Sequence, residues 1–164
     1  MIKLARIVRI IALAMLFGAG SGIVFAAITL VNAAKAQGIP ATEAATVNAP
    51  IFYEFAKVAV GFAIALVVAE ALEIKGDLKN LEKRSKWPMA RYFASIVSAV
   101  AIFIFSYGIV PKMKELQPQI KTNASVKAEF DKLHHVSRGV FSAAIVFALV
   151  SLVIPVLGPG RHME

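Results

Sequence analysis

Glu54 and Lys57 lie three residues apart, on one face of any helix that holds them, inside a long apolar stretch. An ionisable pair in a membrane-spanning stretch is a functional candidate by default, as a proton or ion station or as the counter-ion of a bound group. Depth sets the competing reading. The pair follows Pro50 by four and seven residues. At about 1.5 Å per residue that is only ~6–10 Å into the helix, shallow enough for a lysine to snorkel to the interface. Glu70 and Arg91, nearer still to the ends of their apolar stretches, read as interface anchors.

His134 and His135 are the other groups with chemistry to offer, since neutral imidazole ligates haem iron and transition metals. Adjacent helical residues point about 100° apart, so the two do not share one metal. Phe130, Leu133, His134, Ser137 and Phe141 fall on one face at i, i+3, i+4, i+7 and i+11, and that face is expected to look inward. His135 shares a face with Asp131 and Arg138 and turns to water. His134 is therefore the one candidate ligand, against the commoner role of a hydrogen-bonded packing residue; His162 sits in the terminal tail. The chain has no cysteine, which excludes thiolate metal sites, iron–sulfur clusters and disulfide exchange. It has no glycine-rich phosphate loop, no nucleophile elbow and no paired carboxylates within an apolar span.

The elements that would position these residues follow from composition. Of 164 residues 59% are apolar and 17% charged, against about 45–50% and about 25% in soluble domains. The apolar residues gather in four blocks, each about as long as a bilayer-crossing helix, with spans at about 8–32, 51–74, 88–110 and 136–157. Open strands leave backbone groups unpaired in lipid, so all four read as helices. The fold class is all-α: a single domain, residues 1–164, forming an integral membrane four-helix bundle with an amphipathic helical extension before the fourth span. Asn48-Ala49-Pro50 looks like a cap followed by a first-turn proline. Pro111 looks like the stop of the third span, and Gly158-Pro159-Gly160 closes the fourth. Tyr53 and Tyr107 mark one interface, Trp87 and Tyr92 the other.

The net charge of +8 would suggest nucleic acid in a soluble protein. Here the basic residues sit in loops beside apolar blocks, where they meet anionic lipid headgroups, and no nucleic-acid partner is expected. Lys3, Arg6 and Arg9 precede the first block, and Lys75, Lys79, Lys83, Arg84, Lys86 and Arg91 flank the loop between the second and third. With both termini inside, ten Lys and Arg are cytoplasmic against eight outside. The first helix usually dominates orientation, which gives a multi-pass protein of the plasma (inner) membrane with both termini cytoplasmic. Ala34-Lys35-Ala36 fits a signal-peptide cleavage site, but the preceding block exceeds the ~7–15 residues of a signal h-region and is expected to stay as a span.

Ala14, Gly18, Gly22 and Ala26 form a ridge of small residues at four-residue spacing in the first helix, which lets another backbone approach closely. Contact inside the bundle is the favoured use, and a dimer interface the alternative. Ser95, Ser98, Ile102 and Ser106 share a face of the third helix, with hydroxyls placed to bond across to a neighbour.

The segment Phe130-x-x-Leu133-His134-x-x-Ser137, at the mouth of the last apolar helix, resembles the transmembrane-protein-205-like family of small four-helix membrane proteins. The likeness extends to the helix count and to a proline-ended third helix followed by a charged loop, and it covers chiefly the last two spans. The family often has Asn four residues after the Ser, where this chain has Phe141. The family has no settled activity. Its distant similarity to copper-resistance membrane proteins and to a haem-containing protoporphyrinogen oxidase implies a ligand role for His134, while the first span lacks the histidine such relatives carry there.

These observations lead to a structural or interaction protein of the membrane, leaning away from enzyme, with no cofactor expected and a second copy or another membrane protein as partner. Phe130, Leu133, His134 and Ser137 are its expected joint between loop helix and bundle. A haem- or metal-binding redox protein using His134 and a small ion or solute carrier using Glu54 and Lys57 are the two alternatives.

Overall fold

The computed structural model describes residues 2–77 and 87–157. Lys79, Lys83, Arg84, Lys86, the Gly158-Pro159-Gly160 closure, Arg161 and His162 lie outside the described residues. The helices are α1 (Ile2–Ala36), α2 (Ala41–Asp77), α3 (Trp87–Phe103), α4 (Val110–Leu116) and α5 (Ala124–Leu157). A π-helical turn, Ile104–Ile109, joins α3 to α4, and a 3₁₀ turn, Gln117–Gln119, follows α4. Four stretches are long and apolar enough to cross a membrane: Ile2–Ala36, Thr46–Gly76, Trp87–Gln119 and Ala124–Leu157. The chain is an all-α, multi-pass membrane four-helix bundle.

The spans close into a ring: α1 packs on α2 and α5, and α3 packs on α2 and α5. Each turns one stripe inward at alternating steps of three and four, the spacing of a helix seam. In α2 the stripe includes Ala56, Ala59, Ala63, Leu66, Glu70 and Glu73; in α5 it is Ser137, Phe141, Ala144, Ala148 and Ser151. Small residues dominate because lipid tails are as apolar as the interior, so helices associate by close backbone packing rather than by hydrophobic burial. Four aromatic rings fill the middle. Phe141 lies 4.8 Å from Phe105, 5.8 Å from Phe55 and 6.1 Å from Phe52, centroid to centroid.

The helices outrun the apolar blocks, and two prolines do not act as the sequence suggests. Helix α2 starts at Ala41, where the Pro40 carbonyl accepts from the amides of Glu43 and Ala44, so Pro50 lies inside the helix and Asn48 is no cap. A proline cannot donate to the carbonyl four residues back, here that of Thr46. That carbonyl instead accepts from Gln117 Nε2 at 3.2 Å, while Gln117 Oε1 accepts from the Tyr53 hydroxyl at 2.9 Å. A neighbouring helix thus supplies the missing donor, as membrane interiors require. Pro111 does not stop the third span either. The π-helical turn precedes it, with the Val110 amide bonded to the Phe105 carbonyl five residues back, and Pro111 enters the first turn of α4, where its lost N–H is an orphan anyway. The expected outward extension of the fourth span is present. Asn123 Oδ1 caps α5 by accepting from the amides of Ser125 and Val126 at 3.0 and 3.3 Å.

The small-residue ridge of α1 is turned the other way from its favoured use. Ala14, Gly18, Gly22 and Ala26 are all exposed, and a Cβ added at Gly18 or Gly22 meets nothing within 4 Å. The glycine packed in the bundle is Gly20, where a Cβ would come within 3.0 Å of Ile145. Seam residues Ala12, Leu13, Leu16 and Gly20 face inward, so a ridge two residues out of phase with Gly20 faces lipid.

Candidate functional site: a buried arginine–glutamate cluster

The α2 seam that carries Ala59, Ala63 and Leu66 continues, at the same spacing, to Glu70 and Glu73. The α1 seam runs back through Ala12 to Arg9, and the α3 seam through Ser98 and Ser95 to Arg91. Antiparallel packing brings these three ends to one level, and α5 reaches it with Ser151. All four charged residues are buried, Glu70 completely.

Glu73 is the centre. Its Oε1 accepts from Arg9 Nε at 2.9 Å and its Oε2 from Arg91 Nη2 at 3.2 Å; Arg6 Nε stands 3.9 Å from the same Oε2, its side chain half-exposed at the edge. Arg91 also reaches Glu70 through Nη1, at 3.4 Å from either oxygen. Only the Oε1 contact has hydrogen-bond geometry, and among the described residues Oε2 has no hydrogen-bond partner. The Arg91 guanidinium in addition lies over the Tyr92 ring, 4.2 Å from its centroid, a cation–π contact. Two buried cations thus face two buried anions. Desolvation of such charges is recovered only through close and numerous contacts, and these residues make them for Arg9, Arg91 and Glu73 but thinly for Glu70.

A line of hydroxyls extends from the cluster. Ser95, four residues on from Arg91 along the same buried seam of α3, lies beside the Glu70 carboxylate. Ser95 Oγ and Ser151 Oγ are 2.6 Å apart, and Ser151 Oγ is 3.4 Å from the Arg91 carbonyl oxygen. Farther along, Ser98 donates to the Ala144 carbonyl at 2.8 Å and Ser106 to the Ala56 carbonyl at 3.2 Å. The shared serine face thus bonds across to α5 and α2.

The residues singled out from sequence lie elsewhere. Glu54 and Lys57 pair with each other at 2.6 and 2.7 Å, but on the outer surface of α2, with side chains about 70% exposed. They border a shallow groove of about 600 Å³ with Ile23, Pro50, Ile51, Phe55 and Val58. His134 departs from its inward expectation. It is exposed, stacked on Phe130 with ring planes 5° apart and centroids 6.4 Å apart. Ser137 and Phe141 are buried, Phe130 and Leu133 half-buried, and Ser137 bonds back to the His134 carbonyl at 2.7 Å. The helix face is therefore rotated so that its edge, not its centre, carries the imidazole. Glu70 and Arg91 are not interface anchors. Among the described residues no group of three or more His, Asp or Glu is placed to hold a metal ion.

Family models, curated proteins and solved structures were all compared, and none matches this chain. The site must be read from its geometry alone.

The cluster could have been found in the sequence. Each of its members keeps the step of an apolar seam: Arg9 lies between Ala5 and Ala12, Glu70 and Glu73 follow Leu66, and Arg91 precedes Ala94. Opposite charges also stand where antiparallel neighbours meet: Arg9 and Arg91 at the starts of their spans, Glu70 and Glu73 at the end of theirs. Nearness to a helix end suggested an interface, but helices that outrun their apolar blocks put these positions inside protein.

Proposed function

We propose that this chain is a non-catalytic membrane protein that acts by packing against a partner. The observation that carries the reading is how the interior polar groups are used. Arg9, Glu73 and Arg91 join α1, α2 and α3, Ser95 meets Ser151, and Ser98, Ser106 and Gln117 satisfy backbone carbonyls of neighbouring helices. Each is engaged in helix cohesion, as polar residues at membrane helix interfaces commonly are. Both termini are taken as cytoplasmic, in a plasma (inner) membrane, by the first-helix rule; the charge cluster then lies at the cytoplasmic end, next to anionic headgroups. The likeness of Phe130–Ser137 to transmembrane-protein-205-like proteins accords with this reading, since that segment joins the outer extension of α5 to the bundle.

The outward ridge Ala14, Gly18, Gly22 and Ala26 is where a second copy or another membrane protein would seat a helix, because small side chains allow close backbone approach. A photo-cross-linking residue placed at Gly18 or Gly22 in native membranes is expected to give protein adducts. The same residue at lipid-facing Val68 or Phe93 is expected to give lipid adducts alone. Lipid adducts alone at all four positions would overturn the packing role.

A further inference from the structure

We propose that Glu70 is a reversible proton-binding site, coupled to a hydroxyl chain that runs from α3 to α5. The geometry separates the two buried glutamates. Glu73 receives Arg9 at 2.9 Å, Arg91 at 3.2 Å and Arg6 at 3.9 Å. Among the described residues Glu70, fully buried, has Arg91 at 3.4 Å as its one charged partner, and its Oε2 has no donor. A buried carboxylate so thinly compensated is relieved by taking a proton, because burial penalises charge far more than it penalises a neutral acid. The groups facing it are Arg9 and, at the edge, Arg6 from α1, Glu73 from α2, Arg91 and Ser95 from α3, and Ser151 from α5. When Glu70 is neutral, the arginines face Glu73 alone, and their mutual repulsion opposes proton uptake. Burial and that repulsion act against each other, which makes the site reversible.

The hydroxyls fit both states. Ser151 has one hydrogen and two acceptors in reach, Ser95 Oγ at 2.6 Å and the Arg91 carbonyl at 3.4 Å. With Glu70 ionised, Ser151 donates to Ser95 and Ser95 donates to the carboxylate. With a proton from water bound, the carboxyl donates to Ser95, Ser95 to Ser151, and Ser151 to the Arg91 carbonyl. One O–H bond forms on Glu70, water loses that proton, and the chain reverses direction with every hydrogen still bonded.

Infrared difference spectra of the full chain in lipid, recorded across pH, test this. The wild-type chain is expected to show one titrating carboxyl C=O band at the high frequency of acids removed from water, shifted in D₂O. Glu70→Gln, which mimics the neutral acid, removes it; Glu70→Asp keeps a displaced band; Glu54→Gln leaves it unchanged. Ser151→Ala removes the acceptor that lets Ser95 reverse. It moves the midpoint to lower pH by about 0.7 unit, the equivalent of one net hydrogen bond. No such band while the chain stays folded, a band that survives Glu70→Gln, or a midpoint unmoved by Ser151→Ala would each overturn the proposal.

Discussion

Glu73→Gln is expected to cost the bundle about 3–5 kcal/mol, the usual penalty for removing one partner of a buried ion pair. The substitution keeps the shape of the side chain and removes its charge. Arg9 loses its 2.9 Å charge partner, Arg91 loses its 3.2 Å contact, and Arg6 loses the carboxylate it approaches at 3.9 Å. Glu70, at 3.4 Å from Arg91 only, does not replace it. Two guanidiniums then stay buried against one distant carboxylate. The loss falls where three helices meet, so the whole bundle loosens rather than one helix end. Unfolding in a denaturing detergent titration measures it. Glu54→Gln serves as the control, because an exposed pair contributes little; an equal shift for the two variants would contradict the distinction drawn between them.

Phe141→Ala is the second large expected effect, about 2–4 kcal/mol. In a membrane the transfer part of a core deletion shrinks, since lipid is as apolar as the interior. What remains is the cavity and the lost ring contacts, each worth about 0.5–1.5 kcal/mol. Phe141 contacts three rings from two other helices: Phe52 and Phe55 on α2, across the bundle, and Phe105 on the third span. Ile64, 52% exposed on the same helix bundle, gives the comparison. Ile64→Ala is expected to leave the same unfolding titration almost unmoved, and equal losses would place Phe141 outside the core.

Position 141 also shows what a sequence can hold. By spacing alone Phe141 is one more apolar member of the face that holds Phe130, Leu133, His134 and Ser137; the bundle makes it the hub of an aromatic cluster. Four spans, the helical extension of α5 and the inward serines of the third span were all legible, because bilayer length and helical period act locally. Helix ends were not. Pro50 lies inside a longer helix because Gln117 serves the Thr46 carbonyl, and Pro111 opens the helix that carries the third span onward from a π-helical turn. Rotation was not legible either. The ridge of Gly18 and Gly22 is two residues away from Gly20, and only the packed seam tells which glycine meets a neighbour. The cluster itself required both pieces of information. Arg9, Glu70, Glu73 and Arg91 become a site once the ends and rotations of three helices are known.

The most direct measurement of whether buried charge holds this bundle together is a double-mutant cycle on Arg9→Met and Glu73→Gln, with unfolding read in the same detergent titration. Coupling of more than about 1.5 kcal/mol is expected for a desolvated, hydrogen-bonded charge pair. The parallel cycle on Glu54→Gln and Lys57→Met is expected to give coupling within error. Coupling between Arg9 and Glu73 no larger than that of the exposed pair would contradict the structural role assigned to the cluster.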